Sequence, residues 1–151
     1  MLYSTVHEFE ECVAKFAGAP YAVAVESCSA ALFLCCLLRN VETVTIPRRT
    51  YPSVPCAILH AGGRVSFSGE TWEGIYQLEP YRIWDSALRF RRGMNEGGLH
   101  CLSFHAKKHV PIGRCGMVLL DSARECDWLK RARFNGRGEI PLAEDSFDML
   151  G

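Results

Sequence analysis

The sequence predicts an α/β fold, a three-layer sandwich of helices packed on a mostly parallel sheet. Three observations predict it. Segments with apolar residues at threes and fours alternate with short runs rich in Val and Ile, as βαβ units do. Gly, Pro and Ser punctuate nearly every boundary. The 151 residues, 48% apolar and 23% charged, are enough for one domain with a proper core.

The elements follow in order. Val6, Phe9, Val13 and Phe16 lie on one face of a helix that Gly18 and Pro20 stop. Tyr21 to Val25 is a short apolar run and reads as a buried strand. Ser27, Cys28 and Ser29 then open an apolar helix reaching Leu38, with hydroxyl residues where an N-cap belongs. Val41 to Ile46 reads as a second strand, stopped by Pro47. Tyr51 to His60 is a helix that tolerates Pro52 in its first turn. After the Gly62-Gly63 turn, Arg64 to Phe67 is a third strand. Further strands are expected at Tyr81 to Trp84 ending in Asp85, at Cys101 to Phe104 running into His105, and at Gly116 to Leu120. A polar helix follows from Ala123 to Arg133. No repeat or linker interrupts the chain.

Charge and hydropathy exclude several classes of function. Seventeen basic residues balance seventeen acidic ones, so no global field selects nucleic acid or an anionic membrane. The longest apolar run, Ala30 to Leu38, is too short to span a bilayer, and MLYSTVHEFEE lacks the order of a secretory signal. The eight cysteines are scattered, and Cys12, Cys35 and Cys101 sit inside apolar patterns as small hydrophobes. A reducing cytoplasm is the expected setting. A small-molecule site or a protein interface is left as the expected role.

In α/β sheets, ligands gather at the carboxyl ends of strands. Ser27, Asp85 and His105 fall there, and Lys108 follows in a polar loop. A lysine, a strand-end carboxylate and a hydroxyl-rich helix N-terminus suit a cofactor that needs an amine, a ring-nitrogen partner and a phosphate cradle. Each residue alone has a plainer explanation: a loop lysine is ordinarily solvated, and an aspartate ordinarily caps a turn.

The motifs go further. VHEFEECVAKFAGAPYAVAVESCSAAL, TIPRRTYPSVPCAILHAGGRVSF, IWDSA, SFHAKK and GRCGMVLLD stand in this order along residues 6 to 137. Together the segment resembles the DegT/DnrJ/EryC1/StrS sugar aminotransferases, fold type I enzymes that use pyridoxal 5'-phosphate (PLP). IWDSA is similar to the family's Asp-Ala-Ala signature, and SFHAKK to its Ser-Phe-His-x-x-Lys. The resemblance implies Lys108 as the Schiff-base lysine and proton shuttle, and Asp85 as partner of the pyridine nitrogen. It implies Ser103 and Ser29, with the backbone of Cys28, as phosphate ligands, and Tyr51 as the residue stacked on the ring. Lys107 is the rival for the amine; motif spacing selects Lys108.

The implied activity passes an amino group from an amino acid, glutamate in the family, to a nucleotide-linked keto-sugar by way of a Lys108 aldimine. A homodimer, or a complementing C-terminal subunit, is the implied assembly, with neither nucleic acid nor membrane as partner. Three departures from the family pattern qualify this. Leu88 stands where the family has Gln or His. Cys28-Ser29 replaces Gly-Thr. The chain reads as a single truncated cofactor-binding large domain over residues 1–151, without the family's C-terminal small domain and with a short stretch between Phe67 and Asp85. An inactive or split-subunit remnant serving as an interaction or structural module is therefore the alternative.

Other features read more plainly. Cys101, His105, His109 and Cys115 are close enough to suggest zinc, but their spacing fits no common zinc pattern. Lys130, Arg131 and Arg133, with Arg137, read as complements to a helix dipole. Arg89, Arg91 and Arg92 read as a solvated face. Trp72 and Tyr76 receive no function.

Overall fold

A computed structural model of the chain describes residues 3–146. The order of elements is α1 (Ser4–Ala17), β1 (Tyr21–Val25), α2 (Cys28–Leu38), β2 (Thr43–Pro47), α3 (Ser53–His60) and β3 (Arg64–Ser68). Then come β4 (Tyr76–Gln77), β5 (Ile83–Asp85), β6 (Leu99–Ser103), β7 (Gly116–Leu120), α4 (Ala123–Ala132) and a final turn of 3-10 helix, Leu142–Glu144. The α/β class is borne out. One element, β4, falls in the short stretch after Phe67 where no strand is legible: two residues are too few for a period to show.

The main sheet runs β1-β7-β6-β5-β4, and β2 pairs with β3 in a second ladder. Thr45 and Glu79 exchange two backbone bonds, of 2.8 and 3.0 Å, which join the ladders at the β4 edge. Strands β1, β2, β3, β5 and β6 point one way; β7 and β4 point the other. The sheet is thus mixed, with most strands sharing a direction while only β5–β6 and β2–β3 pair in parallel. The reversal of β7 has a direct cause. The loop between Ser103 and Gly116 holds no helix to cross over the sheet, so the chain must turn straight back.

Period-two alternation along the strands divides the core. Val23 and Val25 of β1, Cys101 of β6, and Val118 and Leu120 of β7 face α2 and α4. Ala22, Leu102, Met117 and Leu119 face α1, where Val13, Ala14 and Ala17 close over them. This makes three layers: α1, the sheet, then α2 with α3 and α4.

The Ser27 cap and the Gly18 stop agree with the reading from sequence, and Ser122 adds a cap that it did not name. The Ser27 hydroxyl accepts from the Ala30 N–H at 3.1 Å, and the Ser122 hydroxyl accepts from the Glu125 N–H at 3.4 Å. Gly18 closes α1 in the left-handed region at φ 73°, a conformation open to glycine at little cost. Arg133 departs from the dipole reading. It reaches back across β1 to the buried Glu10 and accepts no solvated role: its guanidinium bonds Glu10, the Ala24 carbonyl at 2.9 Å and Glu139 at 2.7 Å.

The topology positions the site. Because β1, β2, β5 and β6 share a direction, their carboxyl ends share one edge of the sheet. Chain leaving those ends carries Ser27, Tyr51, Asp85 and the Lys108 loop to the same place. Among the described residues, no helix is long and apolar enough to cross a membrane.

Candidate active site at the carboxyl edge of the sheet

A cavity of ≈ 350 Å³ opens at this edge, within the range of about 300–1,000 Å³ usual for small-molecule sites. All six residues singled out from the sequence line it: Cys28, Ser29, Tyr51, Asp85, Ser103 and Lys108. The chain brings them together from four separate segments.

Asp85 ends β5 and is 6% exposed. Its Oδ1 accepts the Ala87 N–H at 3.0 Å, and its Oδ2 accepts the Tyr76 hydroxyl at 2.9 Å. Burial pushes its pKa above the ordinary 3.8, while the Ala87 and Tyr76 bonds and the charge of Lys108 pull it back. A carboxylate is therefore held in a dry place by donors, with a cation facing it.

Two helix N-termini converge beside it. Ser29 lies in the first turn of α2 and Ser53 opens α3, and the Ser29 hydroxyl donates to the Ser53 hydroxyl at 2.7 Å. Both helices bring unpaired N–H groups and the positive end of a dipole to the cavity. The Cys28 side chain faces elsewhere: its thiol donates to the Cys101 carbonyl at 3.6 Å, and burial pushes its pKa well up. Only the Cys28 backbone is left for a ligand. Ser103, the last residue of β6, accepts the His105 N–H at 3.4 Å.

Lys107 and Lys108 both line the cavity, but they differ in burial. Lys108 is half-buried and its N–H closes a turn onto the His105 carbonyl at 2.8 Å; Lys107 is exposed. Tyr51 stands at the mouth, 74% exposed, a flat ring free to cover a ligand. Leu88, also exposed, is not among the lining residues. Arg114 joins the rim and pairs with Glu26. Arg89 donates to the Glu73 carbonyl at 3.2 Å, so it is tied to a loop rather than spread into solvent.

The reading from sequence missed two residues. Ser53 could have been found: it lies in the first turn of the helix expected from Tyr51, where a hydroxyl stands beside the helix's unpaired N–H groups. Tyr76 could not: it reaches Asp85 only because β4 pairs antiparallel with β5, placing Tyr76 opposite Asp85. The zinc set is not assembled. Cys101 is buried in the core while His105 and His109 are exposed, and among the described residues no three His, Cys, Asp or Glu side chains form a metal-binding group.

The sequence model of the DegT/DnrJ/EryC1/StrS aminotransferase family matches residues 1–83. The chain belongs to this family. It is 35% identical over 82 residues to the spore coat polysaccharide biosynthesis protein SpsC of Bacillus subtilis (strain 168), a match covering 52% of this chain and 21% of that protein. In three dimensions it is similar to the sugar aminotransferase of Micromonospora echinospora, with a TM-score of 0.78 at 19% identity, covering 95% of this chain and 54% of that one. It is similar too to Helicobacter pylori PseC, an aminotransferase involved in the biosynthesis of pseudoaminic acid (TM-score 0.74, 17% identity, 96% and 52% covered). S. venezuelae DesV gives a TM-score of 0.77 at 17% identity, with 95% and 51% covered. The DegT/DnrJ/EryC1/StrS chain described here thus spans about half the length of these solved structures and matches about a fifth of SpsC. At these identities the structural likeness speaks for the fold, that of the fold type I PLP-dependent enzymes. The family implies PLP as cofactor. The cavity fits that group: a buried carboxylate, a half-buried lysine, and two serine-bearing helix N-termini are the donor set it requires.

Proposed function

We propose that this chain carries the cofactor site of a PLP-dependent aminotransferase that passes an amino group from an amino acid, glutamate in the simplest case, to a nucleotide-linked keto-sugar. The observation that carries the proposal is the convergence of Asp85, Lys108, Ser29 and Ser53 on one cavity. Bound PLP supplies an electron sink for the carbon that gains or loses the amino group.

The chain's own residues do the rest. Ser29 and Ser53, with the first N–H groups of α2 and α3, would hold a phosphate against two helix dipoles. Ser103 adds a hydroxyl from the end of β6. Asp85, ionised among its donors, would hold a proton on a ring nitrogen. Tyr51 would cover one ring face and keep water from it. Lys108, which lines the cavity, would be the amine that holds the cofactor and would accept and return a proton beside it. Lys108 would act from a half-buried position, its charge felt by Asp85.

The eight free thiols fit a reducing cytoplasm. A homodimer or a complementing subunit would supply the substrate contacts that lie outside these residues. The alternative, an interaction module without turnover, draws support from Leu88, whose exposed apolar side chain offers no hydrogen bond beside the Asp85 turn. One experiment separates the two. Added PLP should give a visible absorbance band that survives Lys107→Ala and is abolished by Lys108→Ala. A protein that stays colourless with excess PLP would overturn the aminotransferase reading.

A further inference from the structure

Asp85 does not stand alone. Tyr76, 6% exposed, places its hydroxyl 2.9 Å from Asp85 Oδ2, and the Thr50 hydroxyl bonds the same Tyr76 oxygen. The three form a chain that begins after β2, crosses the start of β4 and ends at the tip of β5. A phenol has one proton to give. If Tyr76 gives it to Asp85, it accepts from Thr50, and every group in the chain is satisfied.

We propose that Tyr76, braced by Thr50, is a positioning residue that keeps the Asp85 carboxylate ionised and turned toward the cavity. The proposal rests on the reading of Asp85 as the ring-nitrogen partner given above. Two features fix the direction of the chain. Asp85 Oδ1 already accepts the Ala87 N–H, a bond that favours the charged carboxyl. Tyr76 itself cannot ionise, since burial and the charge of Asp85 push its pKa far up, so it stays a donor throughout the working pH range. The groups facing Asp85 from the elements packed on it are Cys28 of α2, Tyr76 of β4, Cys101 of β6 and Lys108 of the following loop. The two thiols are held neutral by burial, which leaves Lys108 as the charge and Tyr76 as the side-chain donor. A carboxylate in this dry place depends on each donor it has, because a lost bond is not replaced by water.

The register shows why the device escapes a reading of sequence alone. Tyr76 and Asp85 are partners across β4 and β5, and Thr50 arrives from the loop after β2, which joins the sheet at the Thr45–Glu79 bridge. Tyr76 is also packed on Trp72, ring centroids 4.7 Å apart, so Tyr76→Phe removes the hydroxyl and keeps the ring contact.

The test uses the full chain with its aspartate carboxyl carbons labelled, and follows the Asp85 titration by NMR with and without PLP. Tyr76→Phe should move the Asp85 titration to higher pH and weaken PLP binding about tenfold. Thr50→Val should move both in the same direction by less, and Thr50→Ser should restore the parent behaviour. An Asp85 titration unchanged by Tyr76→Phe overturns the proposal, whatever happens to the melting temperature. A shifted titration in a protein that binds no PLP would uphold the positioning role and overturn the cofactor reading instead.

Discussion

Gly116 and Ser27 meet backbone to backbone: a Cβ built on Gly116 would lie 2.5 Å from the Cys28 nitrogen and closer still to the Ser27 carbonyl. This contact presses the N-terminus of α2 against the start of β7, and so sets where the Ser29 hydroxyl can sit. Neither side is a flexible side chain that could give way. Gly116→Ala should therefore destabilise the fold by about 2–4 kcal/mol, seen as a lower urea midpoint. It should also weaken PLP binding more than an equally destabilising change on α4 does.

Ser53 predicts a milder effect. Its hydroxyl accepts from Ser29 at 2.7 Å in a part-buried place. Ser53→Ala should cost about 1 kcal/mol or less in stability and lower PLP affinity several-fold. Titration followed by visible absorbance checks this, and an affinity equal to the parent's would remove Ser53 from the phosphate cradle.

Glu10 and Arg133 predict the largest loss outside the site. Glu10 is 4% exposed, accepts the Ala24 N–H at 2.7 Å and pairs with Arg133, which also bonds the Ala24 carbonyl. Arg133→Met leaves a buried carboxylate without its partner and should cost about 3–5 kcal/mol. Changing both residues together, Glu10→Gln with Arg133→Met, should cost less than the sum of the single changes. Urea unfolding of the four proteins measures the coupling.

Acid should act on two carboxyls with opposite signs. Glu139 is pushed up by burial, but its bonds to Arg133 and His7 outweigh that and hold its pKa below the ordinary 4.5. Its contribution to stability is present above pH 4.5 and is lost as pH falls through the lower folded value. Asp85 is raised above 3.8, so the folded state holds its proton more tightly and stability declines as pH rises from 3.8 through its folded value. Melting temperatures recorded from pH 3 upward should fall less steeply on acidification in Glu139→Gln than in the parent. A parallel profile would show that Glu139 carries no such linkage.

Much of this was legible before any fold was known. Tyr21–Val25 and Gly116–Leu120 are found as strands within the bounds read from sequence, because an apolar run between Gly, Pro and Ser is a local signal. The candidate site was legible only through resemblance: a lone loop lysine or strand-end aspartate has a plainer explanation. IWDSA and SFHAKK are consecutive motifs similar to family signatures, so the resemblance could be read without knowing what lies across from them.

By itself, then, the sequence determined the α/β class, the Ser27 cap and the Gly18 stop, and, through the family resemblance, six of the residues that line the cavity. The tertiary structure alone decided the rest. It set the strand directions, since a loop without a helix turned β7 back between β1 and β6. It left Lys108 half-buried and Lys107 exposed at the cavity, because burial depends on how the loop after β6 folds. It brought Tyr76 opposite Asp85 and Arg133 onto Glu10, pairs whose partners are chosen by register and packing. Such contacts join residues far apart in the chain or on separate strands, and no local period or motif encodes them.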